Sequence, residues 1–119
     1  MTEAQPAPDS GSADVRVVWT TAPDPDTAAR LARGLVEARL AACVQVLPGV
    51  RSFYRWQGEL HDEPETLLIA KTRASRVPEL ESWLAEHHPY DVPECVSFAP
   101  ERVAGDYARW LAGELPPRS

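Results

Sequence analysis

The chain has 119 residues, with 12 Lys and Arg against 18 Asp and Glu and a formal net charge of −6. That length predicts one domain with a real but modest core. The acidic balance, without a basic stripe, excludes unassisted nucleic-acid binding, because neutralising phosphates needs clustered Lys and Arg.

No apolar run approaches the roughly 20 residues of a membrane span. The first segment, MTEAQPAPDSGSAD, is acidic and lacks the apolar stretch of a secretory leader, so a cytoplasmic address is expected. Cys43 and Cys95 belong to no CxxC and to no compact Cys/His cluster, which excludes a finger- or ribbon-type zinc site. In a reducing compartment no disulfide is expected between them.

Residues 1–14, rich in Ala, Pro, Ser and Gly, read as a disordered tail. Residues 15–115 read as the domain and 116–119 as a frayed end. VRVVWTT (15–21) is β-branched and bounded by APDPD, which predicts a strand. The next segment, PDTAARLARGLVEARLAA, places Ala28, Leu31, Leu35, Ala38 and Ala42 on one helical face. Asp24 or Asp26 can cap that helix, and Pro25 suits its first turn. Gly34 weakens its interior.

CVQVLPGV (43–50) predicts a second strand, and SFYRWQGEL (52–60) a strand with a turn near Gly58. ETLLIAKT (65–72) predicts a further strand. Ser75 is placed to cap a helix beginning RVPELESWLAEHH, with Val77, Leu80 and Leu84 inward and Trp83 beside them. CVSFA (95–99) predicts the last strand, and GDYARWLAGEL (105–115) a short closing helix.

The order β-α-β-β-α-β plus a terminal helix predicts an α+β, ferredoxin-like sandwich, with two helices on one face of an antiparallel sheet. Its second face should be polar, yet VRVVW, CVQVL, TLLIA and CVSFA are apolar on both faces. One short chain has nothing left to cover that face, so a homo-oligomer is expected.

The segments TTAPDPDTA, LAACVQVLPG, FYRWQGEL, Lys71-Thr72, HHPYDVPE and YARWL occur in this order across Val15 to Leu115. In them the chain resembles the CutA family of divalent-cation tolerance proteins. The resemblance implies a tight cytoplasmic homotrimer, similar in structure to the PII signal proteins, that binds divalent copper and has a role in metal tolerance. The metal ligands it implies are His87 and His88 of HHPY and a cysteine just before TAPD, with a second family cysteine at Cys43. The first-strand position is Thr20 here, which removes the softest donor of that set. GDYARW is also shorter between Gly105 and Tyr107 than the family pattern.

Two readings of the histidines follow from the residues themselves. His87 and His88 can ligate copper, for which imidazole is a suitable donor. They can equally favour the negative end of the helix and bond its last carbonyls, because Pro89 drives His88 out of helical geometry. Cys43 and Cys95 are ligands or small buried hydrophobes. Glu94, after Pro93, is an oxygen ligand or a surface charge, and His61 a solvated turn residue.

A second constellation is Tyr54, Trp56, Lys71, Tyr107 and Trp110, with Glu94 at its rim. It reads as an inter-subunit pocket for a small anion, as in a PII-like sensor. It reads equally as oligomer packing with Lys71 paired to Asp62 or Glu63. A mainly structural trimer that stabilises an unknown protein partner is the third possibility. No nucleophile elbow, Ser/His/Asp order or Gly-rich phosphate loop is present, so no catalysis is expected unless folding joins Cys43 to His88.

Overall fold

The computed structural model describes residues 14–118. The tail predicted over 1–14 lies outside the described residues except for Asp14, whose carboxylate accepts from Arg73 Nε. Four strands and three helices follow: β1 (Val15–Ala22), α1 (Pro25–Glu37), β2 (Cys43–Trp56), β3 (Glu59–Arg73), α2 (Val77–His87), β4 (Val96–Phe98) and α3 (Gly105–Glu114). The sheet order is β2-β3-β1-β4, antiparallel throughout, so β2 and β4 are opposite edges. This is the predicted α+β, ferredoxin-like sandwich with a C-terminal helix.

Local rules account for most boundaries. The Asp24 carboxylate accepts from the Thr27 N–H at 2.7 Å and caps α1, with Pro25 in its first turn. The helix stops five residues before the predicted Ala42. Arg39 takes φ 57°, and the Leu40 and Arg39 N–H groups bond back to the Leu35 and Val36 carbonyls at 2.9 and 3.0 Å. That is a left-handed helix stop, closed by burying Leu40 beside Leu35. Ala38 is left exposed at the helix end. Ser75 does not cap α2; it lies in a 3-10 turn, Ala74–Arg76, that precedes the helix.

The predicted strands 43–50 and 52–60 fuse into one long hairpin. β2 runs unbroken past one extra residue between Leu47 and Val50, where it faces Leu67 to Glu65 of β3. The hairpin turns at Gln57 and Gly58, with φ 52° and 83°, between paired Trp56 and Glu59. Two positive-φ residues make the turn whose twist suits adjacent strands, and Gly58 adopts it without strain. The distal hairpin extends beyond the sandwich as an arm. The radius of gyration is 16.1 Å, where a compact domain of this size has about 13 Å.

The helix-side face of the sheet is a closed core. Val18, Ala70 and Leu68 pack under Leu31 and Leu35 of α1 and Leu80 and Leu84 of α2. Trp83 lies across both clusters, and a Cβ on Gly34 would sit 2.6 Å from its ring. Gly34 is therefore where α1 and α2 approach most tightly, not only a weak helix residue. On the other face α3 covers one end, packing Ala108, Leu111 and Leu115 on Val15. The rest is bare: Trp19, Leu47, Val96 and Phe98 are 40–47% exposed, and the Trp19 and Phe98 rings meet edge-on at 5.4 Å.

Three arginines tie down the C-terminal end. Buried Arg76 donates to the Arg39 and Pro116 carbonyls, Arg73 to the Leu115 carbonyl at 2.8 Å, and Arg118 to Glu79 at 2.9 Å. Residues 116–118, predicted to fray, are thus held through backbone carbonyls and one ion pair.

Candidate functional site

The two adjacent histidines have separate environments. His88 ends α2 with φ −82° and ψ 142°, extended as a residue before proline must be. Its ring is buried, and both nitrogens are engaged. The Thr21 carbonyl lies 2.7 Å from Nε2, so Nε2 carries the proton and donates; the Tyr90 N–H donates to Nδ1 at 3.1 Å. His88 therefore staples the segment after α2 to the end of β1. His87 is exposed. Its Nδ1 donates to the Trp83 carbonyl at 2.8 Å, and its ring stacks on Trp83 at 4.1 Å. Nε2 of His87 is left without a partner among the described residues.

Cys43 lies elsewhere. It pairs with Lys71, which pairs with Val17, four residues along β1 from the Thr21 that holds His88. Strand rise and spacing separate Cys43 from His88 by on the order of 15 Å. Tyr107 of α3 reaches Cys43, and burial first, then Cys43, pushes the phenol's pKa up. Cys95, on the far edge strand side, packs under the core, and burial followed by Glu81 and Glu94 raises its thiol to about 11. A Cys43–His88 catalytic pair is not formed within one chain.

Copper, which the resemblance implies, does not fit the donors of one chain. His88 would have to give up a hydrogen bond, Cys43 is remote, and Thr20 offers a hydroxyl in place of a thiolate. That hydroxyl is buried on the helix-side face with no hydrogen-bond partner among the described residues. Among the described residues no three His, Cys, Asp or Glu side chains gather to hold a metal ion.

The second constellation divides in two. Lys71 donates to Gln45 Oε1 near Cys43, and Tyr107 and Trp110, 5.5 Å apart, lie on α3 at that end. Tyr54 and Trp56 share a face of the arm, opposite His61 and Glu59. Glu65 lies six residues before Lys71 on β3, about 20 Å at strand rise. The predicted Lys71 pairing to Asp62 or Glu63 is absent: Asp62 instead takes a two-bond fork from Arg51 at 2.8 Å each. His61 is not in the turn but within β3, its ring stacked on Tyr54 at 5.1 Å.

Around Tyr54 and Trp56 the chain forms a cavity of about 490 Å³ between the arm and the segment after His88. Tyr90 adds a third ring, Phe53 borders the cavity from the opposite face of β2, and Glu65, Asp91 and Glu94 supply carboxylates; no Lys or Arg lines it among the described residues. The Tyr90 hydroxyl donates to Glu65 Oε2 at 2.7 Å. Burial, then Glu65, pushes the Tyr90 phenol far above its usual range, so it remains a donor. Burial, then the Glu65 charge, raises the Glu94 carboxyl. Sequence reasoning found Tyr54, Trp56 and Glu94 but not Glu65 or Tyr90. Their signal was faint: Glu65 continues the face of Leu67 and Ile69 by strand alternation, and Tyr90 lies between two prolines that force a loop.

Known proteins agree with this architecture. The profile of the family described as CutA1 divalent ion tolerance protein matches residues 16–114. The chain belongs to that family. It is 42% identical over 102 residues to the divalent-cation tolerance protein CutA of Pectobacterium atrosepticum, covering 86% of this chain and 93% of that one. It is 37% identical over 114 residues to protein CutA of Homo sapiens, covering 92% of this chain but 64% of the human one, so the chain spans under two thirds of that longer relative. Among solved structures, CutA1 of Oryza sativa superposes with a TM-score of 0.86 at 33% identity, covering 91% and 99% of the two chains.

Proposed function

We propose that this divalent-ion-tolerance family member works as a cytoplasmic homotrimer that holds divalent cations, copper among them, at exposed imidazoles and not in a closed metal centre. The observation that carries the cation reading is His87. One ring nitrogen is committed to the Trp83 carbonyl, which fixes the ring, and the other is left at the surface. A lone imidazole with water completing the shell gives exchangeable binding, and divalent copper is the first-row ion that such a nitrogen favours most. Assembly is supported by the bare aromatic face and the projecting arm, since a monomer rarely leaves such a surface open. Among the described residues no helix is long and apolar enough to cross a membrane.

The chemistry is binding, not catalysis. The Cys95 thiol is held in its protonated form near neutral pH, and Cys43 has no histidine base in its own chain. The alternative of a small-anion sensor has weaker support, because the ring-lined cavity is acidic and Lys71 lies at the other end of β3. It would require Lys71 from a neighbouring copy.

Copper titration followed by tryptophan fluorescence tests the cation reading, because Trp83 stacks on His87. Quenching is expected in the parent chain and should fall at least about tenfold in apparent affinity in His87→Ala, with the mass in solution unchanged. His88→Ala is a poor probe of ligation, since it also removes the Thr21 and Tyr90 hydrogen bonds. Quenching that survives His87→Ala would overturn the assignment.

A further inference from the structure

We propose that Trp83 is the positioning residue of the cation site: it fixes the direction and the tautomer of the His87 ring, and the notch at Gly34 in α1 fixes Trp83 in turn. The inference rests on the reading of His87 as a cation ligand. Trp83 packs on the helix-side clusters, across the sheet from the bare face. Every group involved belongs to one chain.

The His87 and Trp83 rings stack 4.1 Å apart at 22° within the last turn of α2. His87 Nδ1 lies 2.8 Å from the Trp83 carbonyl, which can only accept, so Nδ1 carries the proton and Nε2 keeps its lone pair. The indole is itself held. A Cβ on Gly34 would stand 2.6 and 2.7 Å from its six-membered ring, so the ring fills the space that a larger residue would take. The backbone is fixed on the other side of His87, where the His88 N–H donates to the Leu84 carbonyl at 2.8 Å and the His88 ring is stapled to Thr21. An exposed imidazole ordinarily samples several rotamers and both tautomers. Here both freedoms are removed before any ion arrives, which lowers the ordering cost of binding.

Histidines that ligate metals commonly donate their other N–H to a backbone carbonyl, which selects the tautomer and aims the donor. His87 has that arrangement with a carbonyl of its own helix. One aimed nitrogen suits copper, nickel or zinc. Magnesium and calcium ask for several oxygens, and among the described residues no three His, Cys, Asp or Glu side chains gather. The competing role for Trp83 is packing alone. That role predicts lost stability on truncation but no change in which His87 nitrogen holds the proton.

Nitrogen-15 NMR of the full chain in EDTA reads the tautomer without metal, and calorimetric titration with copper then reads the affinity. In the parent chain His87 should carry its proton on Nδ1 and His88 on Nε2. Trp83→Ala should move His87 toward the tautomer mixture of a free imidazole and weaken copper about three- to tenfold. An unchanged His88 signal reports that the fold is kept. Trp83→Phe retains a ring to stack on, so it should restore the Nδ1–H tautomer and bring the affinity within about twofold of the parent. A proton on Nε2 of His87 in the parent would overturn the proposal, and that reading needs no variant. So would a Trp83→Ala chain that matches the parent in tautomer and affinity, or a Trp83→Phe chain that does no better than Trp83→Ala. A parent that shows the Nδ1–H tautomer, kept by Trp83→Phe and lost in Trp83→Ala, yet binds no copper would refute the copper reading while supporting the hold of Trp83 on the ring. The two failures are therefore distinct.

Discussion

Both faces of the sheet are lined by apolar residues, yet one is a core and the other is largely a surface. On the helix side Val18, Leu68 and Ala70 are shielded to within 1% of full burial by α1 and α2. On the other side Trp19, Val96, Phe98 and Leu47 keep 40–47% of their area in water, because α3 reaches only the Val15 end. The difference teaches that apolar alternation states how much burial a strand requires, not who provides it. Within one chain the requirement is met on one face only. The second face is the one that the proposed homotrimer would use.

The largest effects should separate those faces. Leu68→Ala deletes fully buried atoms between α1 and the sheet and should cost about 3 kcal/mol by denaturant unfolding, with no change of mass in solution. Trp19→Lys should do the reverse: the mass should drop to that of a single chain, and the melting temperature should become that of the separated protomer. A Trp19→Lys protein that keeps its assembled mass would break the comparison, because the bare face would then not be the interface.

The tight contact under Trp83 provides the next test. Ala is the better helix former by about 1 kcal/mol, but a methyl on Gly34 meets the Trp83 ring at 2.6 and 2.7 Å, and His87 stacks on that ring. Gly34→Ala should therefore destabilise by about 1–3 kcal/mol. A stabilised variant would mean that the ring moves freely, and His87 with it.

Thr20 offers a smaller effect of opposite sign. Its hydroxyl is buried and unpaired on the core face, where a hydroxyl without a partner is penalised. Thr20→Val should stabilise by about 1 kcal/mol, read as a rise in melting temperature. Destabilisation would show that the hydroxyl has a bond that the geometry does not reveal.

The smallest effect is electrostatic. Burial and Glu65 raise the Glu94 carboxyl above its ordinary 4.5, so between 4.5 and its raised value the folded chain binds more protons than the unfolded one. Stability should fall as pH rises through that window. Asp24 acts in the opposite sense at lower pH. The Thr27 N–H bond lowers it from 3.8, so its contribution is present above 3.8 and is lost as pH falls through its folded value. Glu94→Gln should flatten the first slope and leave the second. A pH profile identical to that of the parent chain would show that Glu94 is not coupled to Glu65.

Much of this was legible in the chain. Asp24 and Pro25 announced α1, Pro89 placed the break at His88, and Gly58 placed the hairpin turn. Alternation in β1 and β3 revealed that both faces need cover. Each of these depends on residues within a few positions of one another, where sterics and hydrogen-bond reach dictate geometry. Other features depended on residues far apart. The bond from His88 to Thr21 spans 67 positions and removes one histidine from the metal set. The bond from Tyr90 to Glu65 spans 25 and closes the cavity. The bulge between Leu47 and Val50 switches Tyr54 and Trp56 onto the face of Glu65 and Lys71, and only their distance along β3 keeps them from Lys71. The order of elements follows from local preference, because each residue's backbone choice is biased by its neighbours. Which imidazole stays free, and which charges surround the rings, follow from how strands twist and loops cross, and only packing in three dimensions brings those groups within reach.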